Sequence, residues 1–388
     1  MKHIAIVGAG VTGVSTAYSL LKRGFKVTVF DRERYAAMQT SFANGGQLSA
    51  SNAEVWNQTS TIIKGLKWMF RRDAPLLVNP KPSWHKLSWM AEFVAAIPHY
   101  EKNTIETTRL AIAARESLFQ WARDEGIDFD LETRGILHIY QDKKGYDHGE
   151  KVNRLLAAGG LVRRAVTAEE MRAIEPTLTG EYYGGFFTES DATGDIHKFS
   201  RGLAAAAARM GAEFHYETEV DNLRHTGSGI EINSRRTNGG PEHEPAGVTE
   251  HYDGVVICAG VRSREFAAQL GDRVNVYPVK GYSVSINLPD EASQTAAPWI
   301  SLLDDDAKVV TSRLGANRLR VAGTAEFNGF SKDIRNDRIE PLVRWCRHHF
   351  PGVDTEHVVP WAGLRPMMPN LMPRVGAGKR AGVFYNTG

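Results

Sequence analysis

The 388-residue sequence predicts an α/β fold of two domains. Three observations carry that reading. An apolar strand runs directly into a GxGxxG turn and a helix, strand-like and helix-like segments alternate downstream, and the length exceeds the usual ~100–200 residues of one domain.

Residues 2–7 (KHIAIV) read as a strand, GAGVTG as a turn, VSTAYSLLKRG as a helix stopped by Gly24, and KVTVFDR as a second strand. From Ala53 to Pro98, Trp56, Trp68, Trp84 and Trp89 are interleaved with Lys64, Lys67, Arg71, Arg72, Lys81 and Lys86. A long helix is expected from Lys102 to Glu125, with Leu110, Ala114, Leu118, Trp121 and Ala122 on its core face and Gly126 ending it. Strands follow at RGILHIY, EFHYETEV and GIEINS, and helices at GEKVNRLLAAG and FSRGLAAAAARMG. The polar TNGGPEHEPAGVTE between Arg235 and Glu250 reads as a surface loop. Asp304 to Asp306 read as a solvated turn rather than a metal site, because hard-cation ligands recur at defined spacings and none does here.

Composition excludes several classes. A hydrophobic content of 42%, a charged content of 24% and a net charge of +2 demand no acidic or basic partner, so nucleic acid is not expected. Two cysteines, Cys258 and Cys346, with no CxxC or Cys/His cluster, provide neither a disulfide framework nor a zinc site, which fits a reducing compartment. The first strand begins at Lys2 or His3, with no room before it for an export signal, and no apolar run approaches the roughly 18 residues of a bilayer span. The expectation is a cytoplasmic protein.

The motif sits in the context it needs. Gly8 permits the tight turn, Gly10 lets backbone approach a pyrophosphate, and Gly13 lets helix and strand pack closely. The helix N-terminus offers amides and positive potential to the phosphates, which makes this a Rossmann-like dinucleotide site. The second strand ends at Asp31, 18 residues past Gly13, where a carboxylate accepts from a ribose 2′-hydroxyl and repels a 2′-phosphate. NADP is disfavoured; NAD and FAD stay open. Two segments favour FAD. In TSFANGGQLS the Gly45–Gly46 pair allows backbone to lie against a bulky flat cofactor, with Asn44 and Gln47 as donors. YDGVVICAGVRS is a buried strand ending in Ala259–Gly260, a second backbone segment closing on the same dinucleotide.

These segments, in this order, resemble the FAD-dependent amine and amino-acid oxidoreductases that include D-amino-acid oxidase, glycine oxidase and sarcosine oxidase. IKGLKWMFRRDAPL, YPVKGYSVSI and WAGLRPMMPN further resemble the small subunit of bacterial D-amino-acid dehydrogenases, over nearly the whole chain. The resemblance implies non-covalent FAD, oxidation of D-amino acids to 2-oxo acids and ammonia, and electrons passed to a quinone or other acceptor. It also implies a discontinuous FAD domain (1–50, 160–265 and 340–388) and a substrate domain on a mostly antiparallel sheet (51–159, helical and partly capping, with 266–339). Carried over by position, Gly8, Gly10, Val11, Gly13, Asp31 and Arg32 resemble the phosphate and ribose contacts. Ser41, Asn44, Gly45 and Gly46 resemble contacts near the flavin ring, Val220 the position whose backbone meets adenine, and Ala259 and Gly260 the closing segment.

For the substrate, Arg365 in GLRP is similar to the arginine that pairs with the substrate carboxylate; a planar guanidinium fork matches a carboxylate bidentately. Tyr282 in VKGYS is expected to close over the substrate or bond its carboxylate, ahead of Lys280. His138 and His197 are available bases, but hydride transfer from a neutral amine obliges none. Residues 62–90 read as a helical cap over the site or as a peripheral contact with the inner face of the cytoplasmic membrane. The family pattern continues past FYNTG through a Gly- and His-containing turn and a final helix reaching the flavin, and it carries an acid where Asn370 stands. Two other readings stay open: an oxygen-using glycine- or sarcosine-type oxidase, and a non-catalytic dinucleotide-binding module.

Overall fold

The computed structural model describes residues 1–68, 74–238 and 247–388. The strand His3–Val7 lies between two parallel neighbours, Lys26–Phe30 and Gly254–Ile257. Glu213–His215 continues the sheet on one side, and Val383–Thr387 with antiparallel Arg374–Ala377 on the other, giving six strands. From Ile4 to Val7 the first strand is apolar because both its faces are covered. Ile4 and Ile6 face the helices Val11–Leu21 and Ile196–Arg209. Ala5 and Val7 face the helix Ser263–Gln269 and a three-stranded antiparallel layer of Thr218–His225, Ile230–Arg236 and Val248–Tyr252.

A second sheet of nine strands is mostly antiparallel, as expected. Its order is Val358–Met367, Tyr277–Asn287, Arg318–Phe327, Val309–Arg313, Ser301–Asp304, Ile136–Tyr140, Gly184–Thr188 and Arg164–Val166, with Leu76–Val78 paired to Arg318–Phe327. The helix Asn336–His349 packs on one face over Val284, Ile286, Leu319 and Val321. The strands 164–166, 184–188 and 358–367, expected with the dinucleotide-binding part, pair into this sheet. Local patterning marks a strand but not its partner.

Several elements differ from expectation. The long helix (Tyr100–Glu125) ends at left-handed Gly126 as anticipated, but it buries Thr104, Thr108, Arg115 and Ala122, while Leu110 and Ala114 are exposed. Its close contacts are made by small and ionic groups. Thr108 packs where a β-carbon on Gly159 would sit, and Arg115 ion-pairs with buried Asp191. Asp304 is not solvated: it accepts from Trp345 Nε1 (2.8 Å), Gln141 and two backbone amides. The expected loop after Arg235 gives way to a strand at Val248, and its residues 239–246 lie outside the described ones, as do Met69–Asp73.

In the aromatic–basic stretch, Trp89 is core. It donates to the Met367 carbonyl and packs on Phe93 and Phe327, while Lys86 is buried and donates to the Asn79 and Lys81 carbonyls. The helix Trp84–Ala95 thus caps the nine-stranded sheet through its inner face. Its outer face is an exposed apolar stripe of Trp84 (78% exposed), Leu87, Ala91 and Val94. Among the described residues no helix is long and apolar enough to cross a membrane.

Candidate active site

The three loops at the carboxyl ends of His3–Val7, Lys26–Phe30 and Gly254–Ile257 converge. Gly8 donates to the Phe30 carbonyl and Cys258 to the Val7 carbonyl. Gly8 is left-handed (φ 105°), and a β-carbon there would meet the Cys258 carbonyl oxygen at 2.5 Å. A β-carbon on Gly13 would fall 1.8 Å from the Gly8 carbonyl oxygen, so helix and strand touch through backbone alone. Gly10 instead opens outward, its nearest neighbour being Ser41 Oγ at 3.6 Å. This is a cradle of first-turn amides with one bare wall, and it fits a pyrophosphate. Ser41, expected near the flavin ring, has its hydroxyl at this helix start, where it accepts from Val11 N (3.1 Å).

Asp31 accepts from Ala9 N (2.6 Å) on one oxygen and Glu33 N (2.9 Å) on the other. Burial raises its pKa, and the two amides oppose the rise. Each oxygen keeps a lone pair for a ribose hydroxyl. The Asp31 carbonyl accepts from Thr218 N, which sets the strand carrying Val220 beside it, and the pairing shifts register between Val220 and Asn222. Ala259 lies against Gly8, and Gly260 (φ 54°) faces open space. Arg32 is exposed and ion-pairs with Glu33.

The segment after Asp31 is tied to the nine-stranded sheet. Thr40 donates to the Leu364 carbonyl (2.7 Å), Ser283 to Ala43 (2.9 Å), Ser312 to Gly45 (2.6 Å) and Arg320 to Asn44 (3.3 Å). Gly45 and Gly46 are needed for this contact, since their β-carbons would meet Val310 at 3.1 Å and Gly194 O at 3.2 Å. Asn44 Oδ1 accepts from Gly46 N, and Gln47 donates to Ser301 and Leu302, so Gln47 is not a free donor. Arg320 is a cation with neutral hydrogen-bond partners, and burial pushes its pKa down to about 10.

Arg365 stands directly opposite Val279 in the antiparallel pair of Val358–Met367 with Tyr277–Asn287. Strand alternation then puts Gly281 and Ser283 on its face and Lys280 and Tyr282 on the other. Arg365 is half-buried, its pKa lowered by burial, and it has no hydrogen-bond or ion-pair partner among the described residues. A half-buried guanidinium without an anionic partner among the described residues keeps its planar fork of donors available to a carboxylate.

Tyr282 does not meet Arg365. It lies under the helix Asn336–His349 and donates to Glu326 (2.6 Å), which also pairs with Lys280 (3.0 Å) and Arg335 (3.4 Å). Burial raises the Tyr282 pKa, and the Glu326 hydrogen bond adds to the rise. His138 is buried against Ser51 (Nε2···Oγ 2.8 Å), and burial holds its pKa well below the usual value. His197 lies between Tyr35 and Phe42 with Nδ1 3.2 Å from the Ala37 carbonyl. Parity along YPVKGYSVSIN already separates these roles, because Tyr282 shares its face with Val284 and Ile286. A groove of about 1020 Å³ lies elsewhere, lined by Ile4, Leu20, Trp121, Val256, Val375 and Phe384, and holds none of the candidate residues.

Comparison with known proteins agrees with this geometry. A family model described as FAD dependent oxidoreductase (DAO) matches residues 3–388. The chain is 61% identical over 388 residues to "D-amino acid dehydrogenase 3" of Mesorhizobium japonicum, covering 100% of this chain and 92% of the relative. It is 38% identical over 396 residues to the "D-amino acid dehydrogenase" of Paramagnetospirillum magneticum, covering 99% and 90%. Among solved structures, a glycine oxidase from Geobacillus kaustophilus superposes with a TM-score of 0.74 at 22% identity, covering 100% of this chain and 90% of that one.

Proposed function

This chain belongs to the FAD-dependent oxidoreductase family, and from that premise we propose that it oxidises D-amino acids to 2-oxo acids and ammonia and passes the electrons to a quinone. The observation that carries the substrate side is Arg365, unpartnered among the described residues, on the sheet face to which the segment 40–46 is bound. The relatives named D-amino acid dehydrogenase supply the stereochemistry and favour an acceptor other than oxygen.

FAD, when bound, accepts the two electrons and the hydrogen that leave the amino acid's α-carbon. Gly8, Gly10, Val11, Gly13, Ser41 and Asp31 would hold its pyrophosphate and ribose, with Val220, Ala259 and Gly260 alongside. Arg365 binds the substrate carboxylate and so fixes the orientation of the α-carbon. Rate then comes from alignment rather than from a side-chain base. In this division the six-stranded sheet serves the cofactor and the nine-stranded sheet the substrate.

A peripheral membrane contact is supported by the exposed apolar stripe Trp84, Leu87, Ala91 and Val94 on the outer face of its helix, with exposed Lys81 three residues before that helix begins. Trp89 and Lys86 take no part in it.

The test is a yellow protein bleached anaerobically by D-alanine but not L-alanine, then reoxidised faster by a quinone analogue than by oxygen. A protein that stays colourless after FAD addition, or bleaches equally with both enantiomers, would falsify the reading. Arg365→Ala is expected to lower kcat/KM by roughly 10²-fold or more, equivalent to about 3 kcal/mol. Unchanged affinity for D-alanine in that variant refutes the carboxylate role.

A further inference from the structure

We infer that Gly281 is a positioning residue, the bare floor on which the Arg365 guanidinium is seated. The inference rests on the reading of Arg365 as the carboxylate-binding group and deepens it.

A β-carbon on Gly281 would lie 2.7 Å from Arg365 Nε, 2.7 Å from Nη2 and 2.8 Å from Cζ. Three atoms of one planar group at nearly one distance place that plane flat over the glycine. The backbone at Gly281 is not left-handed, so space, not conformational freedom, is what the missing side chain provides. Gly363 faces Gly281 across the strand pair. A β-carbon there would fall 2.0 Å from Cη2 of Trp361, so a second planar side chain lies on the second glycine. Directly opposed residues are about 5 Å apart, so indole and guanidinium occupy adjoining places on a floor of backbone.

Several buried or half-buried arginines among the described residues are fixed by partners. Arg115 has Asp191, Arg318 has Asp130 and Asp195, and Arg313 has four carbonyls and the Trp299 ring. Arg365 has none among the described residues, so packing alone sets where its fork points. Regaining ordinary contact with a methyl at 281 moves the guanidinium by about 0.7 Å.

Gly281→Ala is therefore expected to retain FAD absorbance and to lower kcat/KM for D-alanine by about 10- to 100-fold, mostly through KM. In an Arg365→Lys background the same substitution is expected to cost less than about twofold, because an ammonium does not occupy the seat. An equal penalty in both backgrounds, or none in either, overturns the inference. Independently of turnover, phenylglyoxal is expected to modify Arg365 faster in Gly281→Ala, read by peptide mass spectrometry, and an unchanged rate counts against the seat. Faster modification together with an Arg365→Lys variant of unaltered KM would keep the seat and remove the carboxylate reading. Should Gly281→Ala alone fail to fold, Arg365→Ala must restore a soluble yellow protein; a double variant that also fails to fold places the clash elsewhere and refutes the seat.

Discussion

Strand parity decides which side chains of Tyr277–Asn287 share a face with Arg365. Odd positions carry Gly281 and Ser283 toward Arg365, and even positions carry Lys280 and Tyr282 into an ionic cluster with Glu326. Tyr282→Phe is therefore expected to cost stability, about 1–2 kcal/mol for a lost hydrogen bond to a buried carboxylate, and to leave KM unchanged. A denaturant melt and a kinetic assay on the same preparation check both halves. Burial disfavours the Glu326 carboxylate, but Tyr282, Lys280 and Arg335 more than offset this and hold its pKa below the usual carboxylate value. Its stabilising contribution is thus present at neutral pH and is lost as pH falls through that lowered value. The motif glycines, Asp31 and Arg365 stand out in the sequence because the proposed role of each depends on its own residue type. The surroundings of Ser41 and Tyr282 were not legible, because they depend on which distant segments face them.

At the scale of elements, the helix Val11–Leu21 stands on its strand without intervening side chains. Gly13→Ala puts a methyl into the Gly8 carbonyl, so the variant is expected to purify without flavin absorbance even where circular dichroism reports a folded chain. The helix Asn336–His349 ends on a titratable group. His349 Nδ1 lies 2.6 Å from Tyr182 Oη, and burial, only partly opposed by Asp304, lowers its pKa from 6.5 to about 4. The unfolded chain binds the proton first, so stability is complete above pH 6.5 and declines as pH falls toward 4, by of the order of 3 kcal/mol. Urea melts at neutral and mildly acidic pH should show that slope, and His349→Gln should flatten it. Helix ends and strand cores were readable from the sequence, as at Gly126. On the long helix the expected Leu118, Trp121 and Ala122 do pack into the core, whereas the buried face around Thr108 against Gly159 and the Arg115–Asp191 pair carries no apolar period.

On the scale of the whole molecule, two sheets are joined where the segment 40–46 crosses from one to the other. The α/β character and the mostly antiparallel second sheet were foreseeable, whereas the strand order was not. Val358–Met367 pairs with Tyr277–Asn287 and Gly184–Thr188 with Ile136–Tyr140, partners that lie well outside any local window and that no local pattern names. The position of the first strand between Lys26–Phe30 and Gly254–Ile257 bears on how the chain is made. During synthesis His3–Val7 gains one neighbour early, and its other edge stays unpaired until residue 257 has left the ribosome. The Gly8 turn likewise lacks the backbone of Cys258 that closes it. A nascent chain is thus expected to carry an exposed apolar strand edge through most of translation, a natural chaperone substrate, and to acquire its dinucleotide only after that late strand has docked.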